Sequence, residues 1–440
     1  MARKHLIMAM LMGFQSAGMA ADWSLDRALA KVREHNPDAK SAMLRMEKAN
    51  AQLREAHSQL WPRLTAETSY SATDNPPAAF MMLLNQRQLT FERDFNDPNV
   101  TDNWGTEIRL DYQIYSGGAR LASLDGAARG VDASKFSLAA TQDQLELEVA
   151  KAYYEIYRAR EVASAAEALL RSQRSNLELA RKLVGEKVAL RTSVLDLETK
   201  VAEAESQLVF AENARDIQVA FFQSLLGIEG SEPFTVGGML ENVVDPAMEG
   251  GTTRAEVLAL RQRAGQAAAG VEHAKAGKRP TIHAFASGRH DEGFQERDGG
   301  SSWIAGVSVR LNIWDAGETQ AKIDQARADE AIVREQERKQ RLAIELQITT
   351  ARLAVTAARK RAELGHAAIT SATESLELTR KRFEEGLALS TELIDAEVAL
   401  TGARVRLADA RAEEQIALAS LRHALGLPIR NRNENASTRP

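Results

Sequence analysis

The chain has 440 residues, 44% of them hydrophobic, and a formal net charge of −5; this is enough apolar material for a folded core and lacks the positive field of a nucleic-acid binder. The absence of cysteine excludes disulfides, thiolate metal sites and a cysteine nucleophile. Only 10 prolines and 5% aromatic residues mean few helix breakers and few large rings, a composition suited to long helices packed through small side chains.

Residues 1–20 read as a secretory signal peptide, with Arg3 and Lys4 ahead of an apolar run from Leu6 to Phe14 and a small-residue exit at Gly18-Met19-Ala20. No later stretch reaches the roughly 18 uninterrupted apolar residues of a spanning helix, so inner-membrane helices are not expected. Beyond the signal the sequence repeats itself. Trp104 to Tyr115 lies over Trp303 to Trp314 at an offset of 199, and the same offset carries Leu190, Thr192, Asp196 and Glu198 onto Leu389, Thr391, Asp395 and Glu397. The expected organisation is a first repeat over 21–227, a Gly- and Pro-containing equatorial linker over 228–252, a second repeat over 253–427 and a tail over 428–440.

Each repeat opens with helices and then changes to a period of two. Ile108, Leu110, Tyr112 and Ile114 share one face of a strand while Glu107, Arg109, Asp111 and Gln113 share the other; Val307, Val309, Leu311 and Ile313 repeat the apolar face. Partner strands at Leu64 to Ser71 and Ile282 to Arg289 give hairpins over 63–115 and 281–314, four strands per chain. Pro62 pairs with Pro280 at offset 218, so the first hairpin holds 19 additional residues, placed in a loop from Thr73 to Asn103. Strands of this length with apolar-out, polar-in alternation fit a transmembrane barrel, and on their own also fit a small soluble sheet with one wet face.

No proline interrupts the chain between Pro98 and Pro233 or between Pro280 and Pro428. A stripe at 3,4 spacing runs from Leu145 through Val149, Ala152 and Ile156 to Leu177 and Val184, and its copy runs from Ile344 to Phe383. A helix from Gly118 to Val184 would extend about 100 Å, so an elongated molecule is expected. A barrel in lipid leaves no unpaired edge and needs roughly eight strands, which four cannot supply, so several chains must combine.

Taken together, the signal peptide, Leu25-Asp26-Arg27-Ala28-Leu29 leading to Asn36-Pro37, Tyr115-Ser116-Gly117-Gly118 repeated as Trp314-Asp315-Ala316-Gly317, Phe383 and Gly386 with Leu393-Ile394-Asp395, and Leu225-Leu226-Gly227 resemble the TolC-type outer membrane efflux protein family (outer membrane factors). The resemblance implies a mainly α fold with a β-barrel section: a homotrimer whose 12-stranded transmembrane β-barrel continues into a long periplasmic α-helical barrel, with two internal structural repeats. It implies an exit duct in the outer membrane of a Gram-negative bacterium, extending into the periplasm and serving tripartite efflux or type I secretion. The implied partners are outer-membrane lipid, a periplasmic adaptor (membrane fusion) protein and an inner-membrane transporter of RND, ABC or MFS type. A soluble periplasmic coiled-coil structural or adaptor protein is the alternative.

Within that picture the helices reverse near Lys187 to Ser193 and Gly386 to Glu392 to form the periplasmic mouth. Glu392 and Asp395, on one helical face, and Asp196 of the other copy are candidates for a selectivity aperture; threefold symmetry would turn each into an acidic ring that favours cations. Ser193 and Phe383 occupy aperture positions where the family's best-known members carry latch groups, so closure here rests on packing and on other pairs, among them Lys187, Arg191 or Arg382. The adaptor-docking candidates are Gly386, Leu389, Ser390, Thr391, Val188, Leu190 and Thr192. The 8 histidines form no HExxH pair, and Gly265 and Gly270 have P-loop spacing without its Lys-Ser/Thr, so no catalytic residue, metal site or cofactor is expected and the chain is read as no enzyme.

Overall fold

The computed structural model describes residues 21–90, 92, 94, 96–229, 234–236, 242–246, 253–294 and 299–429. The signal segment 1–20, most of the linker 228–252 and the tail beyond Ile429 therefore lie outside the described residues. Two compact units share the chain: one takes in Met1–Ala42, Ala139–Arg254 and Leu342–Pro440, the other Met43–Leu138 and Ala255–Arg341.

In chain order the elements are β1 (Ala21–Trp23), α1 (Leu25–His35), α2 (Pro37–Ser58), β2 (Arg63–Thr73), α3 (Pro76–Asn85), β3 (Thr101–Tyr115), α4 (Ala119–Gly185), α5 (Arg191–Leu225), β4 (Phe234–Val236), α6 (Ala255–Lys275), β5 (Thr281–Glu292), β6 (Gly299–Arg310), α7 (Glu318–Glu384) and α8 (Ser390–Ala424). The offset of 199 that relates the sequence copies also relates α4 to α7, both of 67 residues, and α5 to α8, both of 35. The long helices start alike: Ser116 Oγ accepts from the Arg120 backbone N–H, and its copy Asp315 accepts from those of Gly317 and Thr319.

The first unit holds the main core. Leu145, Val149, Ile156 and the edge-to-face pair Tyr153 and Tyr154 of α4 pack with Trp23, Leu25 and Val32, with Phe222 and Leu226, and with Leu418, Leu421 and Leu425. At its edge Asn36 donates to the Leu225 carbonyl at 2.8 Å, and Gly227, at φ 66, lies so close to the His35 carbonyl that a Cβ would clash. Burial along the α4 stripe from Leu145 to Leu177 follows from its 3,4 spacing. Its copy on α7 is less covered, and two further apolar rows stay exposed: Phe210, Ile217 and Phe221 on α5, and Leu342, Leu346 and Leu353 on α7.

The second unit holds a four-stranded antiparallel sheet in the order β2-β3-β5-β6, and its register sorts the side chains. Leu64, Tyr70, Trp104, Ile108, Leu110, Trp303, Val307 and Val309 lie on one face and all are exposed, Trp303 by 82%. Thr65, Glu67, Glu107, Arg109, Asp111, Arg289 and Asp291 lie on the other, with Phe285 and Ile304 as its larger apolar members. Two expectations need correction. The strand expected to continue through Leu311 and Ile313 stops at Arg310, because β6 is an outer strand whose last partner is the first residue of β5, Thr281. The loop expected from Thr73 to Asn103 contains α3, and β3 already begins at Thr101. The signal for α3 was present in Asn75-Pro76-Pro77, an N-cap followed by prolines at the first helical positions: Asn75 Oδ1 accepts from the Ala78 N–H.

Candidate functional site

The candidate residues gather where α4 turns into α5 and α7 into α8, all within the first unit. Both reversals close in the same way. At the first, the Val188 N–H donates to the Leu183 carbonyl and the Lys187 N–H to that of Val184; at the second, Leu387 donates to Arg382 and Gly386 to Phe383. This is the Schellman pattern, which needs one residue in the left-handed region. Gly386 meets that need at φ 73 without cost, whereas Lys187 meets it at φ 64 as a residue with a side chain. A Cβ on Gly386 would approach Val188 Cγ1 to 2.8 Å, so glycine there also permits the contact between the two turns.

A small core holds the turns together: Leu177, Ala180, Leu183, Leu197, Phe383, Leu393 and Ile394. Phe383 is only 2% exposed and belongs to this core; Ser193 and Ser390 are buried as well. Thr192, Asp196, Thr391 and Glu392 are exposed on the turn surface, as is Asp395 on the side of α8 away from Leu393. Ser390 Oγ donates to Asp196 Oδ2 at 3.2 Å, fastening the start of α8 to the first turns of α5. Glu392 accepts from the Leu389 backbone N–H at 3.3 Å and stands 3.7 Å from the Arg382 guanidinium, which also donates to the Leu387 carbonyl. Around these polar groups Val188, Leu190, Leu387 and Leu389 project into solvent, Leu190 by 70% and Leu389 by 63%.

One node was missed by reading the sequence alone. Glu397 of α8 is buried and accepts hydrogen bonds from Ser172 Oγ and from Asn176 Nδ2 of α4. The available signal was Gln173, a polar residue inside the apolar α4 stripe and itself buried. Such a node makes sliding of the two helices costly, because a displaced carboxylate would lose its donors while buried.

No group of three or more His, Cys, Asp or Glu is placed to hold a metal ion among the described residues, and no helix among them is long and apolar enough to cross a membrane. What the reversals present is a capped, charged and partly apolar end to two helical hairpins.

The family model for "Outer membrane efflux protein" matches residues 28–228 and 252–427. Among solved structures, the outer membrane protein VceC from Vibrio cholerae aligns with a TM-score of 0.75 at 19% identity, covering 92% of this chain and 96% of its own. The Campylobacter jejuni CmeC outer membrane channel aligns at 0.80 and 15%, covering 91% and 85%, and the Neisseria gonorrhoeae MtrE outer membrane channel at 0.74 and 20%, covering 92% and 89%. No curated protein matches the chain in sequence.

Proposed function

The chain belongs to the outer membrane efflux protein family, and from that premise we propose that it is the passive exit duct of a tripartite efflux or type I secretion assembly. It is an outer-membrane protein, and its family is one of channels rather than enzymes. The strongest support for the finer reading is the sheet: one face is largely apolar and exposed, the other largely polar, and the two outer strands, β2 and β6, each have an edge unpaired among the described residues. An apolar face of this kind suits lipid, a polar face suits a water-filled lumen, and open edges call for further copies of the same strands. Three copies would give a twelve-stranded barrel, and the exposed apolar rows on α5 and α7 would become seams between neighbouring helical hairpins.

In this reading the repeats 21–227 and 253–427 line the duct, and the reversals form its periplasmic mouth. Asp196, Glu392 and Asp395 supply acidic rings there, while Ser193 and Phe383 support the turns from inside. Val188, Leu190, Thr192, Gly386, Leu389, Ser390 and Thr391 offer a periplasmic adaptor an apolar rim edged with hydroxyls, and an inner-membrane transporter supplies the energy. The test is reconstitution of the detergent-extracted protein in planar bilayers. Stepwise ionic conductance is expected; silent bilayers from protein that retains its helical signal would contradict the duct.

A further inference from the structure

The loop helix α3 is apolar from Ala78 to Leu84, yet it packs on the polar face of the sheet. The register explains how. A row across the sheet runs Ser69, Gly105, Asp291, Gly300, so the two positions flanking Asp291 on that face have no side chain. Asp291 itself is buried and held down by Arg289 and by Asn103 Nδ2, at 2.6 Å. The last turn of α3 lies over the Gly300 end of this row, where a Cβ would overlap the Asn85 carbonyl oxygen, while the Arg289 guanidinium fills the space above Gly105.

The residues that follow act as pins. Gln86, 1% exposed, donates from Nε2 to the Asp102 carbonyl at 2.7 Å and to Asn103 Oδ1 at 2.8 Å. Arg87, in the left-handed region at φ 61, reaches the Ser301 carbonyl at 3.0 Å. Ala79, Leu83 and Gln86 thus face the sheet and are buried. Met81 and Leu84, about half a helical turn away around the axis, face away from it and are 52% and 45% exposed.

We propose that α3 is a resident collar inside the external end of the duct, where Met81 and Leu84 form an apolar constriction that selects what passes by size and hydration. The proposal rests on the duct reading, which makes the polar face the lumen. Copies of the chain would bring these side chains toward a common axis, and an apolar ring of that kind resists the passage of hydrated solutes.

Because the chain has no cysteine, one introduced thiol reports access directly. Arg109→Cys places it on the exposed polar face of β3, further along the strand from the loop than the Gly105 row. Intact cells are treated from outside with a small charged maleimide or with a bulky polyethylene-glycol maleimide, using Asn99→Cys in the loop as the control for surface display. Replacing residues 76–85 by a Gly/Ser linker is expected to speed the bulky reagent about tenfold while leaving the small one nearly unchanged. Gly300→Val, which displaces α3 without deleting it, is expected to act in the same direction. Equal bulky-reagent rates with and without α3 overturn the collar. Failure of even the small reagent to reach position 109 in every variant, with Asn99→Cys labelled, overturns the duct reading itself and the collar with it.

Discussion

Glu392 serves the reversal between α7 and α8 in two ways: its carboxylate caps the Leu389 N–H and stands beside Arg382. The ion pair is exposed and is worth at most about 1 kcal/mol. Asp395, one turn further on, has no ion-pair partner among the described residues. Changing Glu392→Gln with Asp395→Asn keeps the cap, since an amide oxygen still accepts, and removes both charges. In planar bilayers the preference for cations is then expected to fall about two- to threefold. Unchanged cation conductance and cation block would rule out the acidic rings. These acids were legible in the sequence through their spacing; the burial of Phe383 and Ser193 was not. That of Phe383 depends on Leu197 and Leu393, which reach the turn from α5 and α8.

Helix starts and stops were largely legible, because the offset of 199 ties the two copies together and the capping residues recur at corresponding places. Asp315 is the clearest cap. Its hydrogen bond from the Thr319 hydroxyl, then those from the Thr319 and Gly317 backbone N–H groups, hold its carboxyl below the ordinary aspartate value. A carboxyl whose folded value is depressed stabilises above its unfolded value, and the contribution is lost as pH falls through the folded one. Protection factors of the first-turn amides of α7, which correct for the slower intrinsic exchange in acid, are therefore expected to fall as pH drops below about 4. In Asp315→Asn that pH response should be absent; the same acid response in the variant would assign it elsewhere. By contrast, α3 was illegible as a functional element. Its own sequence marks a helix, but Gly300, whose bare backbone receives it, is brought beside Asp291 only through strand pairing.

For the molecule as a whole the issue is the sheet's two open edges. β2 has 11 residues and β6 has 12, and every second peptide group on an outer strand points away from the sheet. An unpaired group costs several kcal/mol in lipid, so the edges together would outweigh the about 5–15 kcal/mol that holds a typical fold. Further copies pairing along the edges remove that cost, while lipid covers the apolar face. The alternation in the sequence marked four strands, too few for a closed barrel, and the strand order identifies β2 and β6 as the strands left to pair. The number of copies was not legible, since it depends on strand tilt and stagger across an interface between chains. The decisive quantity is the protein mass of the detergent-solubilised particle, from light scattering coupled to size exclusion and corrected for bound detergent. A monodisperse particle of three chains that aggregates when detergent is removed is expected; a single chain, stable and monodisperse in buffer without detergent, would refute the shared barrel.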